Sequence, residues 1–392
     1  MNLWISPKRI IGIALWIFCA VYFLTVPISF PDNIGVGDFR PYWSSSFLLR
    51  HGQDFSNPTN MDFIERTLTG WDEPFTMYAW FAPTGNLVLL PYTLFSFERA
   101  AFYWLITNIF VVFLSVILLC NNAKTGVWIP LFVAFAFSAT LHSLVLGQIN
   151  TLVFLGIVLF LFFSASGNDF AAGTSLALTT IKVHLVILTL PLLIIDAAWR
   201  KKWYVLVGFL STITACAFIL FLLYPPWLNS FLWVITSGMS GFREAPTIPG
   251  LLVHAGNYEF GILGKWLWVV SLILAITAWW GLKNKLNQRI LIDFSILVGI
   301  LISPIGWSYD HIILLIPLLH VLEWMSNGSL AKKDVIAIIA VLIVVNLVAL
   351  YERTRSVSEV WFFWVPIIIL TTYLFAWKQK RSTDLNSLLK TA

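Results

Sequence analysis

The sequence predicts an all-α, polytopic membrane protein with about twelve transmembrane helices. Of its 392 residues, 59% are hydrophobic and only 11% are charged, whereas soluble domains carry about 45–50% apolar and roughly 25% charged residues. Apolar runs close to the length of about 20 residues that a bilayer crossing needs recur along the chain. The 20 tryptophans and 32 phenylalanines are typical of side chains that meet lipid and its interfaces. These observations exclude a water-soluble enzyme.

The apolar runs define the expected helices in order. The first run is followed by prolines rather than by a small-residue cleavage site, so we interpret it as a membrane helix and not as a cleavable signal peptide. Residues 171–181 form a shorter apolar piece. Residues 79–97 contain two prolines and a glycine, which favours a re-entrant or interfacial segment. The longer runs, beginning with the first, lie at residues 10–30, 100–120, 127–146, 149–165, 183–199, 203–224, 262–282, 290–305, 311–326, 334–351 and 360–377.

The lysine and arginine clusters predict the orientation, because such residues concentrate in short cytoplasmic loops. Their alternation places both termini in the cytoplasm, with one membrane domain over residues 1–378 and a short cytoplasmic tail over residues 379–392. The compact loops favour the plasma membrane of a bacterium, that is, its inner membrane. The expected non-cytoplasmic loops are residues 31–78, 225–260, 303–310 and 352–359.

The topology of the middle depends on residues 79–97. If this segment does not cross, the turn at residues 147–150 and Lys182 both emerge on the outer side. If it does cross, Lys182 becomes buried within an over-long helix, at a cost of at least ~2.5 kcal/mol on insertion scales. We therefore prefer the first topology.

Charge, cysteines and acidic residues argue against nucleic acid, disulfide bonds and a metal site. The formal net charge is +5, but the basic residues are scattered between apolar runs, which does not suit nucleic acid. Cys19, Cys120 and Cys216 all lie in apolar stretches and form neither a metal spacing nor a disulfide framework. The first outer loop is acidic but has no Asp-x-Asp pair, and a hard cation needs several converging oxygens. We expect no cofactor and no metal.

The first outer loop contains the most informative polar residue. Pro41 suits a first helical turn and Gly52 suits a C-cap, so we expect a short amphipathic helix on the membrane surface. Asp38 lies just before this helix, where the helix dipole stabilises an ionised carboxylate. Asp38 could be a helix cap or a general base that takes a proton from an acceptor hydroxyl.

Four stretches, in order, resemble glycosyltransferase family 87. Residues 38–52, with Asp-Phe, an aromatic pair, small residues and a later glycine, resemble the family's first outer loop. Residues 147–150 resemble its Gly-Gln-x-Asn turn, and residues 182–185 resemble its Lys-Pro-His/Gln-Leu helix start. Residues 303–307 resemble its Ser-Pro-x-x-Trp motif. The similarity covers roughly residues 10–330.

The chain departs from the family pattern in two places. Val183 stands where the family commonly has proline, and Ser308-Tyr309 replace a histidine expected after Trp307. These departures bear on the donor side of the site and on the sugar, and they leave Asp38 untouched.

The resemblance implies a C-type glycosyltransferase fold whose outer loops carry the active site. It implies transfer of a hexose, typically mannose, from a polyprenyl-phosphate sugar to a lipid-linked or glycan acceptor, within reach of membrane lipids. Asp38 would be the catalytic base, and cations or hydrogen-bond donors would stabilise the leaving phosphate. The expected substrate-binding residues are Arg40, Tyr42, Gln148, Asn150, Lys182, His184, Arg243, His254, Asp310 and His311.

Structural roles remain open for several of these residues. Lys182 and His184 could be interfacial anchors, Gln148 and Asn150 could cap helices, and Asp310 could cap the helix that it begins. His142 and His320 are interpreted as helix-packing histidines.

Two other functions compete with transfer of a sugar. A membrane transporter or lipid flippase would predict ionisable residues at mid-membrane depth and paired broken helices. A non-catalytic scaffold would predict no selective role for Asp38 over the other acids of its loop.

Overall fold

The fold is described from a computed structural model, in which residues 34–120, 126–237, 245–256, 258–282, 286–355 and 357–391 are described. These residues form helices, turns and loops, and within them there is no β-strand. The all-α prediction is therefore confirmed for this part of the chain. The first predicted membrane run, residues 10–30, and the candidate Arg243 lie outside the described residues.

The α-helices of the described part, numbered in chain order, are α1 Phe39–Arg50, α2 Pro58–Thr69, α3 Thr84–Leu89, α4 Phe97–Leu119, α5 Trp128–Ala136, α6 Ser138–Leu146, α7 Asn150–Ala165, α8 Asp169–Leu176, α9 Thr189–Trp199, α10 Trp203–Leu223, α11 Trp227–Ser237, α12 Ile248–Ala255, α13 Tyr258–Leu282, α14 Gln288–Ile302, α15 Leu315–Ser326, α16 Lys332–Thr354 and α17 Trp364–Thr391. Short 3₁₀ helices lie at Leu90–Leu94, Ala177–Val186, Ser308–Leu314 and Glu359–Phe363.

Several helices have the length and composition of a membrane crossing. Among the described residues these are α4, α10, α16 and the run Glu359–Ser382, and α5 with α6 adds a fifth if the bent pair is one span. Shorter apolar helices such as α7 and α9 fall below that length. The count of about twelve crossings stays a prediction.

The bend between α5 and α6 has a local cause. Phe137 is extended, with φ −67° and ψ 124°, and the two helices meet at an angle of 65°. The break frees the N–H of Ser138, which donates to the side-chain oxygen of Asn346 on α16 at 2.8 Å. A polar side chain of a neighbouring helix thus satisfies the backbone group, as the membrane interior requires.

The ambiguous segment at residues 79–97 contains α3 and the 3₁₀ helix Leu90–Leu94. Together they span about 19 Å at helical rises, well short of the ~30 Å of a bilayer core. The N–H of Ala82 donates to the carbonyl of Ile181 at 2.9 Å, so this segment folds back against the chain next to Lys182. The length supports the preferred topology.

The prediction of an amphipathic helix on the membrane surface is wrong for α1. Most of its residues are buried, including its serines. Phe39 stacks on Phe97 and Trp104 of α4, while Ser45 and Ser46 donate to the side-chain oxygen of Asn86 on α3. The hydroxyls of Ser45 and Ser46 therefore form hydrogen bonds inside the protein and do not face water.

The core is built around α7, which packs against α4, α8 and the 3₁₀ helices Ala177–Val186 and Ser308–Leu314. Its residue Thr151 donates a hydrogen bond to Asn108 of α4, and both side chains are fully buried. Hydrogen bonds of this kind stabilise helix pairs in membranes. At the N-terminal end of α7, Asn150 contacts Ser143, Tyr309 and Asp310, which come from two other segments of the chain.

Candidate active site

The turn that precedes α7 brings Asp38 and Gln148 together. Gly147 ends α6 in the left-handed conformation, with φ +69°, which a C-cap glycine adopts without strain. A Cβ at Gly147 would lie 2.4 Å from the carbonyl oxygen of Gly35, so the two segments meet where only glycine fits. The N–H of Asp38 donates to the carbonyl of Leu146 at 2.9 Å. This contact places the start of α1 beside the turn.

Gln148 lies at the centre of a buried hydrogen-bond network. Its Nε2 donates to Oδ2 of Asp38. Its Oε1 accepts hydrogen bonds from the Tyr42 hydroxyl at 2.9 Å and from Lys182 Nζ at 2.8 Å. The Gln148 side chain is 0% exposed.

Lys182 occupies a break in the 3₁₀ helix Ala177–Val186, with φ −129° and ψ 75°. The break turns its side chain inward, where Nζ lies 3.3 Å from Oδ1 of Asp310 and 4.9 Å from the centre of the Tyr309 ring. The side chain of Lys182 is 3% exposed. A lysine this buried is stable when it is paired with a carboxylate.

Asp310 is the buried counter-charge of the cluster. Besides Lys182, it accepts hydrogen bonds from His184 Nε2 at 3.2 Å and from the backbone N–H of Trp307 at 3.1 Å. Asn150 Nδ2 lies 3.3 Å from Oδ1. Burial raises the pKa of Asp310, but the charge of Lys182 and the contact with His184 outweigh it and hold that pKa below its ordinary value. Asp310 is therefore ionised at neutral pH.

The surroundings of Asp38 shift its pKa in the opposite direction. It stands at the N-cap of α1, and its carboxylate makes no capping hydrogen bond to that described helix. Burial raises the pKa of Asp38 to about 6, although the charge of Lys182 and the Tyr309 hydroxyl oppose the rise. Two carboxyl groups whose surroundings push their pKa values apart are a common feature of acid–base sites.

Asp38 lines a cavity of about 630 Å³. The rings on its wall pack together: Trp80 meets Trp307 edge-on with centroids 6.0 Å apart, and Trp307 stacks on Tyr309 at 5.9 Å. Polar groups interleaved with aromatic faces suit a small polar ligand that also stacks, such as a sugar. The lining residues are Asp38, Pro41, Tyr42, Phe75, Thr76, Met77, Tyr78, Trp80, His142, Leu146, Lys182, Trp307, Tyr309 and Glu359.

Two residues of the cavity wall, His142 and Glu359, contact Arg353, which lies near the C-terminal end of α16. Its Nη1 lies 2.9 Å from Nε2 of His142, and its Nη2 donates to the Ser308 hydroxyl at 2.9 Å. Glu359 lies 3.8 Å from the guanidinium and accepts the N–H of Ser308 at 2.7 Å. Sequence reasoning missed His142 and Glu359 as cavity residues, because no local spacing connects positions more than 200 apart.

Of the predicted residues, Tyr42, Gln148, Asn150, Lys182, His184 and Asp310 join Asp38 in one cluster. Asn150 supports this cluster from the first turn of α7, since its Nδ2 donates to the backbone carbonyl of Tyr309 at 2.9 Å.

Two other candidates, Arg40 and His254, face other parts of the chain, and a third, His311, lies next to the cluster. Arg40 donates to the carbonyl of Thr69 at 2.6 Å and so faces α2. His254, on α12, packs edge-on against Trp361 at 5.5 Å. His311 is buried beside Asp310, and its Nε2 has no hydrogen-bond partner among the described residues.

The expectation that the site needs no metal stays a prediction. Within the part of the chain that the structure describes, no group of three or more His, Cys, Asp or Glu side chains is arranged to hold a metal ion. The acidic residues of the first loop are dispersed: Asp62 pairs with Arg66 at 2.9 Å, and Asp54 accepts from Ser230 at 2.7 Å.

The fold and the cavity define a helical membrane protein with a carboxylate and aromatic rings around a buried polar site. The family model of glycosyltransferase family 87 matches residues 80–304, more than half of the chain. The chain therefore belongs to glycosyltransferase family 87, and the predicted family is confirmed. Membership indicates a glycosyltransferase, with a sugar donor and an acceptor as substrates. Comparison with curated proteins and with solved structures gives no match.

The matched range has a consequence for the site. It includes Gln148, Asn150, Lys182 and His184, whereas Asp38 lies before it and Asp310 after it. The family match therefore says nothing about Asp38. What distinguishes Asp38 is its place in the cavity wall and its hydrogen bond with Gln148.

Proposed function

We propose that the protein transfers a hexose, with mannose as the first candidate, from a polyprenyl-phosphate donor to a lipid-linked or glycan acceptor. Transfer inverts the configuration at the anomeric carbon, and Asp38 is the general base. One observation carries the proposal: the Asp38 carboxylate lines the cavity with a pKa of about 6, beside a second carboxylate that is fully engaged in hydrogen bonds. A group with such a pKa is ionised at neutral pH and can still accept a proton efficiently.

The chemistry needs few groups. The acceptor hydroxyl attacks the anomeric carbon while its proton passes to Asp38, and the bond between that carbon and the phosphate oxygen breaks. The bonding electrons leave with the phosphate. Lys182 donates to Gln148 and Asp310, and an ammonium has a third N–H, which we assign to the leaving phosphate. Fixed positive charge at a developing anion is the usual way to lower such a barrier.

A lipid donor is supported by an apolar groove of about 660 Å³ between α5, α15 and α16. The residues of α16 that line this groove run from Val335 to Leu350 at helical spacing. Arg353 follows one turn later, so about 27 Å separates it from Val335 along the helix. Because Arg353 contacts His142 on the cavity wall, a chain in this groove would end near the site.

The proposal includes the membrane arrangement. The site would open to the non-cytoplasmic face of a bacterial inner membrane, with both termini in the cytoplasm and about twelve crossings. The turn at residues 147–150, Lys182 and residues 303–310 all belong to the outer side in the preferred topology. Their meeting in one cluster supports that assignment.

The test is sugar transfer from radiolabelled polyprenyl-phosphate mannose by the protein reconstituted in lipid. Asp38→Asn keeps the shape of the side chain and removes the base, so we expect a loss of about 10²-fold or more. Asp72→Asn is the matched control, because Asp72 is an exposed carboxylate of the same loop and is expected to leave the rate unchanged.

Three outcomes would contradict the proposal in different ways. Equal rates for Asp38→Asn and the parent would show that Asp38 is not the base. Equal losses of rate in Asp38→Asn and Asp72→Asn would show that the rate depends on the negative charge of the loop and not on Asp38 in particular. Absence of transfer from every polyprenyl-phosphate sugar tested would refute the proposed class of donor.

A further inference from the structure

We infer that Gln148 is a positioning residue, which orients the Asp38 carboxylate and couples it to the charge of Lys182 without touching substrate. This inference rests on the proposed role of Asp38 as the base. The sequence had suggested a substrate contact for Gln148, and its burial and hydrogen bonds point to a different task.

A ligand cannot reach the Gln148 side chain in this structure. Its side chain is 0% exposed, and it is not among the described residues that line the cavity. Tyr42 and Lys182, which do line the cavity, stand in front of its amide oxygen. Substrate would meet these two side chains first.

The partners of Gln148 determine which way its amide faces. The Lys182 ammonium can only donate a hydrogen bond, so it requires the amide oxygen. An ionised Asp38 can only accept, so it requires the amide N–H. The opposite amide orientation would place donor against donor and acceptor against acceptor. Gln148 therefore holds the Asp38 carboxylate in one orientation through Oδ2.

The same amide connects the Lys182 ammonium on its oxygen with the Asp38 carboxylate on its nitrogen. The ammonium of Lys182 polarises the carbonyl of Gln148, which strengthens the N–H that faces Asp38. A hydrogen bond to the charged form of an acid favours that form. Removing the amide should therefore make Asp38 harder to ionise as well as less well oriented.

Two variants test the inference in the reconstituted enzyme. Gln148→Glu places a second carboxylate against Asp38. Two coupled acids titrate apart by at least about one pH unit, so we expect the acid limb of the pH profile of kcat to shift to higher pH by that amount. Gln148→Asn is too short to bridge, and we expect kcat to fall by about 10- to 100-fold with the acceptor KM within about threefold of the parent. Asn86→Asp is the control, since Asn86 is a buried amide behind α1 whose partners are serine hydroxyls.

An activity-independent readout covers variants that fold poorly or turn over slowly. The carboxyl C=O band of Asp38, identified by its loss in Asp38→Asn, can be titrated by infrared difference spectroscopy without substrate. In Gln148→Asn we expect the band to persist to higher pH than in the parent.

The outcomes separate the two claims. A raised KM with unchanged kcat would make Gln148 a substrate contact, and an unchanged acid limb together with an unchanged infrared titration would also overturn the inference. Full activity of Asp38→Asn would instead refute the proposed base, and the inference would fall with it.

Discussion

Replacing Lys182 by methionine should destabilise the protein by about 3 kcal/mol. Lys182 Nζ lies 3.3 Å from Oδ1 of Asp310, and the two side chains are 3% and 0% exposed. At an effective dielectric constant of about 20, charges at that distance attract by about 5 kcal/mol. Asp310 would keep its contacts with His184 and the Trp307 N–H, which compensate part of the loss. The expected value is the lower end of the ~3–5 kcal/mol found when one partner of a buried pair is removed.

The assay is denaturant unfolding in mixed micelles, with two companion variants. Lys182→Met/Asp310→Asn removes both charges, so we expect it to recover part of the stability that the single variant loses. Lys202→Met breaks the half-exposed pair of Lys202 with Asp169 and should cost less than about 1 kcal/mol. The reasoning would be refuted if Lys182→Met cost no more than Lys202→Met, or if the double variant were less stable than the single one.

Three further predictions use other residues. Sugar transfer should rise between pH 5 and pH 7 in initial-rate assays, with half of the maximum near pH 6, because Asp38 acts as an anion with a pKa of about 6; a flat profile would contradict this. Gly147→Ala should lower the melting temperature more than Gly70→Ala, because both glycines have a left-handed φ but a new Cβ would meet Gly35 only at position 147; equal losses would contradict the packing argument. Burial raises the pKa of Glu65 to about 7, above its ordinary value near 4.5, so its contribution to stability is fully present below pH 4.5 and is lost as the pH rises through 7. Glu65→Gln should therefore raise the melting temperature at pH 8 and change it little at pH 4.5, and the opposite order would refute the assignment.

The sequence alone was sufficient for the features that depend on local chemistry. Apolar runs predicted α4, α10 and α16 because a bilayer crossing has a length and composition that can be read from consecutive residues. The prolines of residues 79–97 predicted a segment that does not cross; α3 within it is short, and the topology of the segment stays a prediction. The family was also recognisable, since its motifs are short and contiguous.

The prediction for α1 failed because burial of a polar face is decided by distant partners. Serine spacing on a helix is equally compatible with water and with a hydrogen-bonded interior. Asn86 of α3 and the rings of α4 select the interior, and neither is visible from the helix itself.

The sequence by itself determined that this chain is a helical membrane protein of a glycosyltransferase family, and it singled out Asp38, Gln148, Lys182 and Asp310. Only the tertiary structure decided that these residues meet, that Asp310 is the paired carboxylate and that Asp38 is the one with the raised pKa. Gln148 forms its hydrogen bond with Asp38 across 110 positions of the chain, and Lys182 contacts Asp310 across 128. The proton affinity of a buried group depends on which charges and hydrogen-bond donors the packing of the helices brings within a few ångströms of it, and no spacing along one chain segment carries that information.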